Sequence, residues 1–145
     1  MLPMWGEQVK SDAINFEWPT REIFDRWPSN VSIKSITFSI RDKNYGSYIS
    51  SVECAISTDE KSPLYDTTGQ GQHVAKTIDF AAQRPVKTVE AMNDGCGISR
   101  VTFLDKNGAE IGCYNPKNKS RGGPMHEIAD NEELIGVYGV RNKNP

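Results

Sequence analysis

Residues 33–40 read IKSITFSI, an alternation of apolar and polar side chains. Ile36, Phe38 and Ile40 fall on one face of an extended chain, because successive side chains of a strand point to opposite sides. The next residues, 42–46, read DKNYG and are typical of a turn. The segment therefore predicts a strand with one face buried against a core.

The same period of two recurs along most of the chain. Gly, Pro, Asn or Asp residues separate the segments, as turns separate the strands of an all-β protein. The remaining predicted strands are residues 48–57, 74–80, 86–92, 98–104, 109–114, 125–129 and 134–140. Residues 19–27 instead predict a helix of about two turns, which Pro28 ends. The pattern predicts an all-β sandwich, barrel or prism.

Composition narrows the functional classes. The 145 residues include 17 Lys and Arg against 19 Asp and Glu, and the net charge of −2 argues against a nucleic-acid partner. The sequence shows neither an apolar run of about 18 residues nor a secretory signal, so we expect a cytoplasmic protein without a membrane span. Three Cys without C-x-x-C spacing and only two His make a metal site improbable, and we expect no cofactor.

Two short stretches recur within the chain. Residues 35–38 (SITF) echo residues 100–103 (RVTF), and both lead into an Asp-Lys-Asn triplet. Residues 51–55 (SVECA) echo residues 88–91 (TVEA). The echoes favour similar sheets arranged around one core.

Several segments carry a resemblance to a known family. Residues 86–91 (VKTVEA) look like a strand of the type I-x-x-V-x-G, residues 98–103 (ISRVTF) like I-x-x-L-x-F, and residues 134–139 (LIGVYG) like I-V-G-F-x-G. Their order from residue 24 to residue 140 resembles the jacalin-related lectins. The resemblance implies a β-prism of three four-stranded antiparallel sheets over residues 23–145.

The family's sugar site implies a G-x-x-x-D loop between the I-V-G-F-x-G strand and a final L-D-A-I-G strand. The sequence after residue 140 reads RNKNP and lacks both at that place. Residues 11–18 (SDAINFEW) resemble that final strand moved to the amino terminus, which would make Gly6 to Asp12 a displaced sugar loop. Alternatively, residues 1–22 are an extension that packs against the prism or a partner.

A second sugar contact is implied at Met92, Asn93, Asp94 and Gly95, where the family's sugar-binding members place another loop. Asn and Asp side chains pair with hydroxyls, and Gly lets the backbone approach a ligand closely. A plain turn explains the same composition. Tyr45, Tyr48, Tyr65 and Tyr114 are the candidates for an aromatic sugar platform.

The three tryptophans of the chain, Trp5, Trp18 and Trp27, all lie in its first 27 residues. They could cap the open end of the prism. They could also anchor a protein partner in an oligomer or larger assembly, because Trp is enriched at interface hot spots.

Catalysis finds little support in the sequence. Cys96 has no His near it in sequence to activate its thiol, His126 is interpreted as a strand-edge residue, and the acidic residues around 130–133 as turn acids. We therefore expect a non-catalytic, lectin-like carbohydrate-binding domain. The alternative is a structural or adaptor subunit that keeps the lectin fold without binding sugar.

Overall fold

Ten strands and one short helix make up the part of the chain that the computed structural model describes, residues 13–28, 31–42, 49–57, 65–66, 72–93, 98–114 and 125–142. The prediction of an all-β fold is confirmed. The elements are β1 (Ala13–Trp18), α1 (Arg21–Asp25), β2 (Ile33–Asp42), β3 (Ile49–Ile56), β4 (Tyr65–Asp66), β5 (Gln72–Asp79), β6 (Thr88–Asn93), β7 (Ile98–Leu104), β8 (Glu110–Tyr114), β9 (Met125–Glu127) and β10 (Val137–Asn142).

Strands β2 to β5 form the first sheet, antiparallel throughout, with the order β4-β3-β2-β5. Ile36 lies opposite Cys54 on β3 and opposite Ile78 on β5. All three side chains are buried, so the alternation of residues 33–40 places its apolar face inward.

Strands β6 to β9 form the second sheet, with the order β8-β7-β6-β9. In each sheet three strands follow one another as neighbours, and the fourth returns to pair with the first. This is the strand order of a Greek key. The two sheets are therefore topological copies.

The sequence echoes do not follow that equivalence. Residues 35–38 lie on β2 and residues 100–103 on β7, whereas β2 corresponds to β6 in strand order. The second echo likewise joins β3 to β6. Both echoes thus mark the central strands of the sheets, which share a demand for alternating burial.

The inner faces of the two sheets meet in one core. Phe38 on β2 stacks on Phe103 of β7, with ring centroids 6.4 Å apart, and contacts Tyr114 of β8 at 5.2 Å. Phe80 meets Phe103 edge-on at 5.2 Å. The core is completed by Ile33, Ile36, Cys54, Ile56, Ile78, Val89, Val101 and Ile128.

Strand β1 pairs with β10 as a separate antiparallel ribbon, from Ala13 opposite Asn142 to Trp18 opposite Val137. The chain passes so close to β1 at Gly136 that a Cβ there would overlap the Trp18 carbonyl oxygen. The predicted strand over residues 134–140 accordingly begins three residues later than expected, at Val137.

The predicted helix is shorter than two turns. The hydroxyl of Thr20 accepts a hydrogen bond from the Ile23 amide at 3.3 Å and caps the first turn of α1. The helix ends at Asp25, and Pro28 follows three residues later. No helix in the described part of the chain is long and apolar enough to cross a membrane.

Polar contacts fix the connection between β7 and β8. Asp105 accepts hydrogen bonds from the amides of Asn107 and Ala109 through Oδ1, and from Arg84 Nε at 2.8 Å through Oδ2. These contacts, led by Arg84, lower the pKa of the Asp105 carboxyl. Gly108 closes the turn with φ of 76°, a conformation that favours glycine.

Candidate binding site

A cleft of about 330 Å³ opens where β1 ends and β10 begins. One wall is the end of β1 and the residue after it, and the other is the connection from β9 to β10. Its lining consists of Glu17, Trp18, Pro19, His126, Ile128, Glu132, Glu133, Leu134, Ile135, Gly136 and Val137. Segments that are far apart in sequence therefore build one concave surface.

The apolar part of the cleft rests on a chain of aromatic rings. Trp18 meets Trp27 edge-on at 6.4 Å, and Trp27 meets Phe24 at 5.8 Å. Both tryptophans are half-buried and pack against the core. Their indole Nε1 groups are buried without a hydrogen-bond partner among the described residues. Trp18 is thus the point where the amino-terminal aromatic cluster reaches a surface concavity.

The polar part of the cleft is acidic. Glu17, Glu132 and Glu133 are exposed at its edge, together with the half-buried His126. Oε1 of Glu132 accepts a hydrogen bond from the Ala129 amide at 3.0 Å, which holds that carboxylate in place. The described lining contains three carboxylates and neither lysine nor arginine.

Lys87 positions the wall that carries these acids. Its Nζ donates to the Ile128 carbonyl oxygen at 2.7 Å and lies 3.3 Å from Asp130 Oδ1. Its backbone carbonyl accepts from the Ile128 amide at 2.7 Å. The residue before β6 thereby fastens the chain as it leaves β9 and enters the cleft wall.

The residues predicted to bind sugar lie away from this cleft or outside the described residues. Met92 is on β6 and only 8% exposed, so it offers little surface to a ligand. The backbone of Asn93 pairs with Ile98 at the end of the β6–β7 ladder. Gly6, Asp12, Asp94 and Gly95 lie outside the described residues, as does Trp5.

The directions of β1 and β6 show how the cleft is related to the segments that were predicted to bind sugar. β1 runs from Ala13, directly after Asp12, to Trp18 in the cleft wall, a length of about 17 Å. β6 runs from Thr88, opposite Glu127, to Asn93. The Ala13 end of β1 and the Asn93 end of β6 are therefore the ends that point away from the cleft.

The two cysteines that the structure describes, Cys54 and Cys113, are both buried. Burial and the nearby Glu53 raise the pKa of the Cys54 thiol to about 12, which keeps it protonated at neutral pH. Cys113 is also buried and accepts a hydrogen bond from the Thr102 hydroxyl at 3.3 Å. Within the described ranges, no cluster of His, Cys, Asp or Glu could hold a metal ion.

Tyr114 is wrong as a candidate sugar platform. Its side chain is fully buried between the sheets, and burial raises the pKa of its hydroxyl. The hydroxyl oxygen has no hydrogen-bond partner in the described part of the chain.

The cleft itself was missed at the sequence level, because its acids read as isolated turn residues. One signal was present. A strand over residues 11–18 that pairs antiparallel with β10 has its last residue beside the first residue of β10. The residues that precede β10, Glu132 and Glu133 among them, then lie near the end of β1.

No protein-family model matches the chain, and no curated protein matches it in sequence. Among solved structures, it is similar to PirB, with 12% identity, a TM-score of 0.49 and coverage of 77% of this chain but only 30% of PirB. It is also similar to a prostate-specific WGA16 glycoprotein lectin, with 15% identity and a TM-score of 0.54 over 93% of this chain and 86% of the lectin. At 15% identity, the second likeness establishes a shared lectin-like fold alone.

Proposed function

We propose that the chain is a non-catalytic carbohydrate-binding domain. The observation that carries this proposal is the antiparallel pairing of β1 with β10. The family resemblance implies an L-D-A-I-G strand that follows the I-V-G-F-x-G strand in the chain, and here Ala13 and Ile14 open the strand that lies beside β10. The pairing supports the interpretation of residues 11–18 as that strand in a permuted position.

The same pairing supports a β-prism. Two four-stranded sheets with the same Greek-key order face one core, and the β1–β10 ribbon lies outside both. We assign the ribbon to the third sheet of the prism. The similarity in fold between this chain and a lectin, over 93% of the chain, agrees with this assignment.

The sugar would bind at the ends of β1 and β6 that lie away from the cleft. Asp12 directly precedes β1, and Asp94 directly follows β6. A carboxylate accepts hydrogen bonds from two neighbouring hydroxyls, while Asn93 both donates and accepts. Backbone groups at Gly6 and Gly95 would approach the ring without a side chain in the way.

A glycan array with the purified full chain, followed by calorimetry on any ligand found, tests the proposal. We expect saturable binding that discriminates between sugar epimers and falls at least tenfold in Asp12→Ala or Asp94→Ala. Asp79→Ala is the matched control, because Asp79 is an exposed aspartate at the end of β5. Absence of binding by a folded sample, or equal binding by all variants, contradicts the proposal.

One observation favours the second candidate, an adaptor that binds protein. Trp18, one of the tryptophans that the sequence singled out for partner binding, lines a cleft with exposed acids at its edge. A protein partner would meet that surface, which makes the cleft the place to look for one.

A further inference from the structure

We infer that the cleft between β1 and the β9–β10 connection is a docking site for a basic peptide segment of a protein partner. The segment would carry Lys or Arg next to an apolar side chain. The site is distinct from the proposed sugar site, and the inference stands whether or not the chain binds sugar.

The charge of the cleft indicates that the peptide is basic. Glu17, Glu132 and Glu133 place three carboxylates at the edge of one cleft, while the whole chain has a net charge of only −2. A cation beside one of these exposed carboxylates is attracted by it and, through screening solvent, more weakly by its neighbours. An anionic ligand would be repelled by the same three groups.

The apolar lining of the cleft indicates that the peptide also carries an apolar side chain. Trp18, Leu134 and Ile135 line the cleft beside the acids, and Ile135 remains 38% exposed although it is large and hydrophobic. A volume of about 330 Å³ is at the small end of ligand sites and accommodates one or two side chains. A Trp wall also suits the aliphatic stem and cationic head of Arg.

The walls are held before any ligand arrives. Lys87 bonds the backbone at Ile128, Glu132 bonds the Ala129 amide, and Gly136 lies against the Trp18 backbone. A preorganised surface loses less conformational entropy on binding than a mobile one. Such a site would select a short segment rather than a broad face of the partner.

The test is a titration of the isotope-labelled full chain with the peptide acetyl-Gly-Arg-Leu-Arg-Gly-amide, followed by backbone amide NMR shifts. We expect saturable shifts at Glu17, Ile135 and Val137, with little change at Asn93 on the far end of β6. Glu133→Gln is expected to weaken binding about fivefold, equivalent to roughly 1 kcal/mol. Glu110→Gln, at an exposed position on β8, is the matched control and should bind like the parent.

Two further peptides separate the contributions. Replacing both Arg by Glu should abolish the shifts, and replacing Leu by Gly should weaken them. Absent cleft shifts, or equal binding of the acidic peptide, overturns the inference. So do sugar-induced shifts at Glu17 and Val137, because they would make the cleft the sugar site. If a sugar shifts the Asn93 amide and leaves the cleft amides unchanged, the result supports the proposed sugar site and says nothing against the peptide site.

Discussion

The two four-stranded sheets share one strand order but are stabilised in different ways. In the first sheet Ile36, Cys54 and Ile78 lie in register across three strands and are buried. On its outer face the hydroxyls of Thr37 and Thr77 bond at 2.9 Å between β2 and β5. The second sheet adds ionic contacts at its connections, centred on Asp105 and Lys87.

The comparison distinguishes the apolar contacts that form the sheets from the polar contacts that fix the surface connections. Alternating burial is common to both sheets and is enough to explain the shared strand order. The ionic contacts fix turns and chain exits instead, and one of them supports the cleft. The geometry of the cleft wall therefore depends on polar side chains outside the core.

The largest expected effect comes from the ring pair that joins the sheets. Phe103→Ala should destabilise the fold by about 4 kcal/mol, because a buried Phe leaves both a transfer loss and a cavity. Phe38→Ala should cost about as much, since Phe38 and Phe103 each contact two aromatic rings. Urea unfolding followed by circular dichroism measures both.

The double variant at these two positions shows whether the sheets form one cooperative core. We expect its destabilisation to fall short of the sum by about 1 kcal/mol, as for other aromatic pairs in contact. Strict additivity would mean that the two inner faces do not support each other.

The next effect is pH-dependent and belongs to the second sheet. The pKa of Asp105 is lowered in the folded state, chiefly by Arg84. Its contribution to stability is therefore present above the unfolded-state pKa and is lost as the pH falls from about 4 towards the folded-state value. Asp105→Asn should lower the melting temperature by several degrees at pH 7 and reduce the loss of stability between pH 5 and pH 3.

Asp79→Asn is the control for that experiment, on the other sheet. It should leave both the melting temperature and its pH profile close to those of the parent chain. A profile for Asp105→Asn that runs parallel to the parent's at all pH values would exclude Asp105 as the source of the dependence.

The smallest effects come from two buried hydroxyls of the second sheet, with opposite signs expected. Tyr114→Phe should leave stability unchanged or raise it by up to about 1 kcal/mol, because it removes a buried group without a described partner. Thr102→Val should lower stability by about 1 kcal/mol, since it removes the donor to Cys113. Equal losses in both variants would reveal a partner for the Tyr114 hydroxyl.

Most of the fold was accessible from the sequence, because period two is a local signal. The strands predicted at residues 98–104 and 109–114 match β7 and β8 to within one residue. β4 was missed, since the two residues Tyr65 and Asp66 are too few to show a period. Residues 86–87 were expected in a strand but precede it, because the Lys87 backbone bonds Leu104 and Ile128 outside the ladder.

The cleft was not accessible in the same way. Its two walls come from opposite ends of the chain, and no local pattern reports their contact. Trp18 was singled out as large and apolar, but Glu132 and Glu133 carry no signal until the register of β1 against β10 is known. The sugar-binding role of the residues named from the sequence stays a prediction, because most of these residues lie outside the described ranges.

The pairing of β1 with β10 also has a consequence for the order of folding. Nearly the whole described chain lies between the two strands, and closing so long a loop is entropically costly until the sheets have formed. The two Greek-key sheets use nearer contacts and can assemble first. During synthesis β1 would then wait as an unpaired strand edge until β10 leaves the ribosome, an interval in which other strands could pair with it.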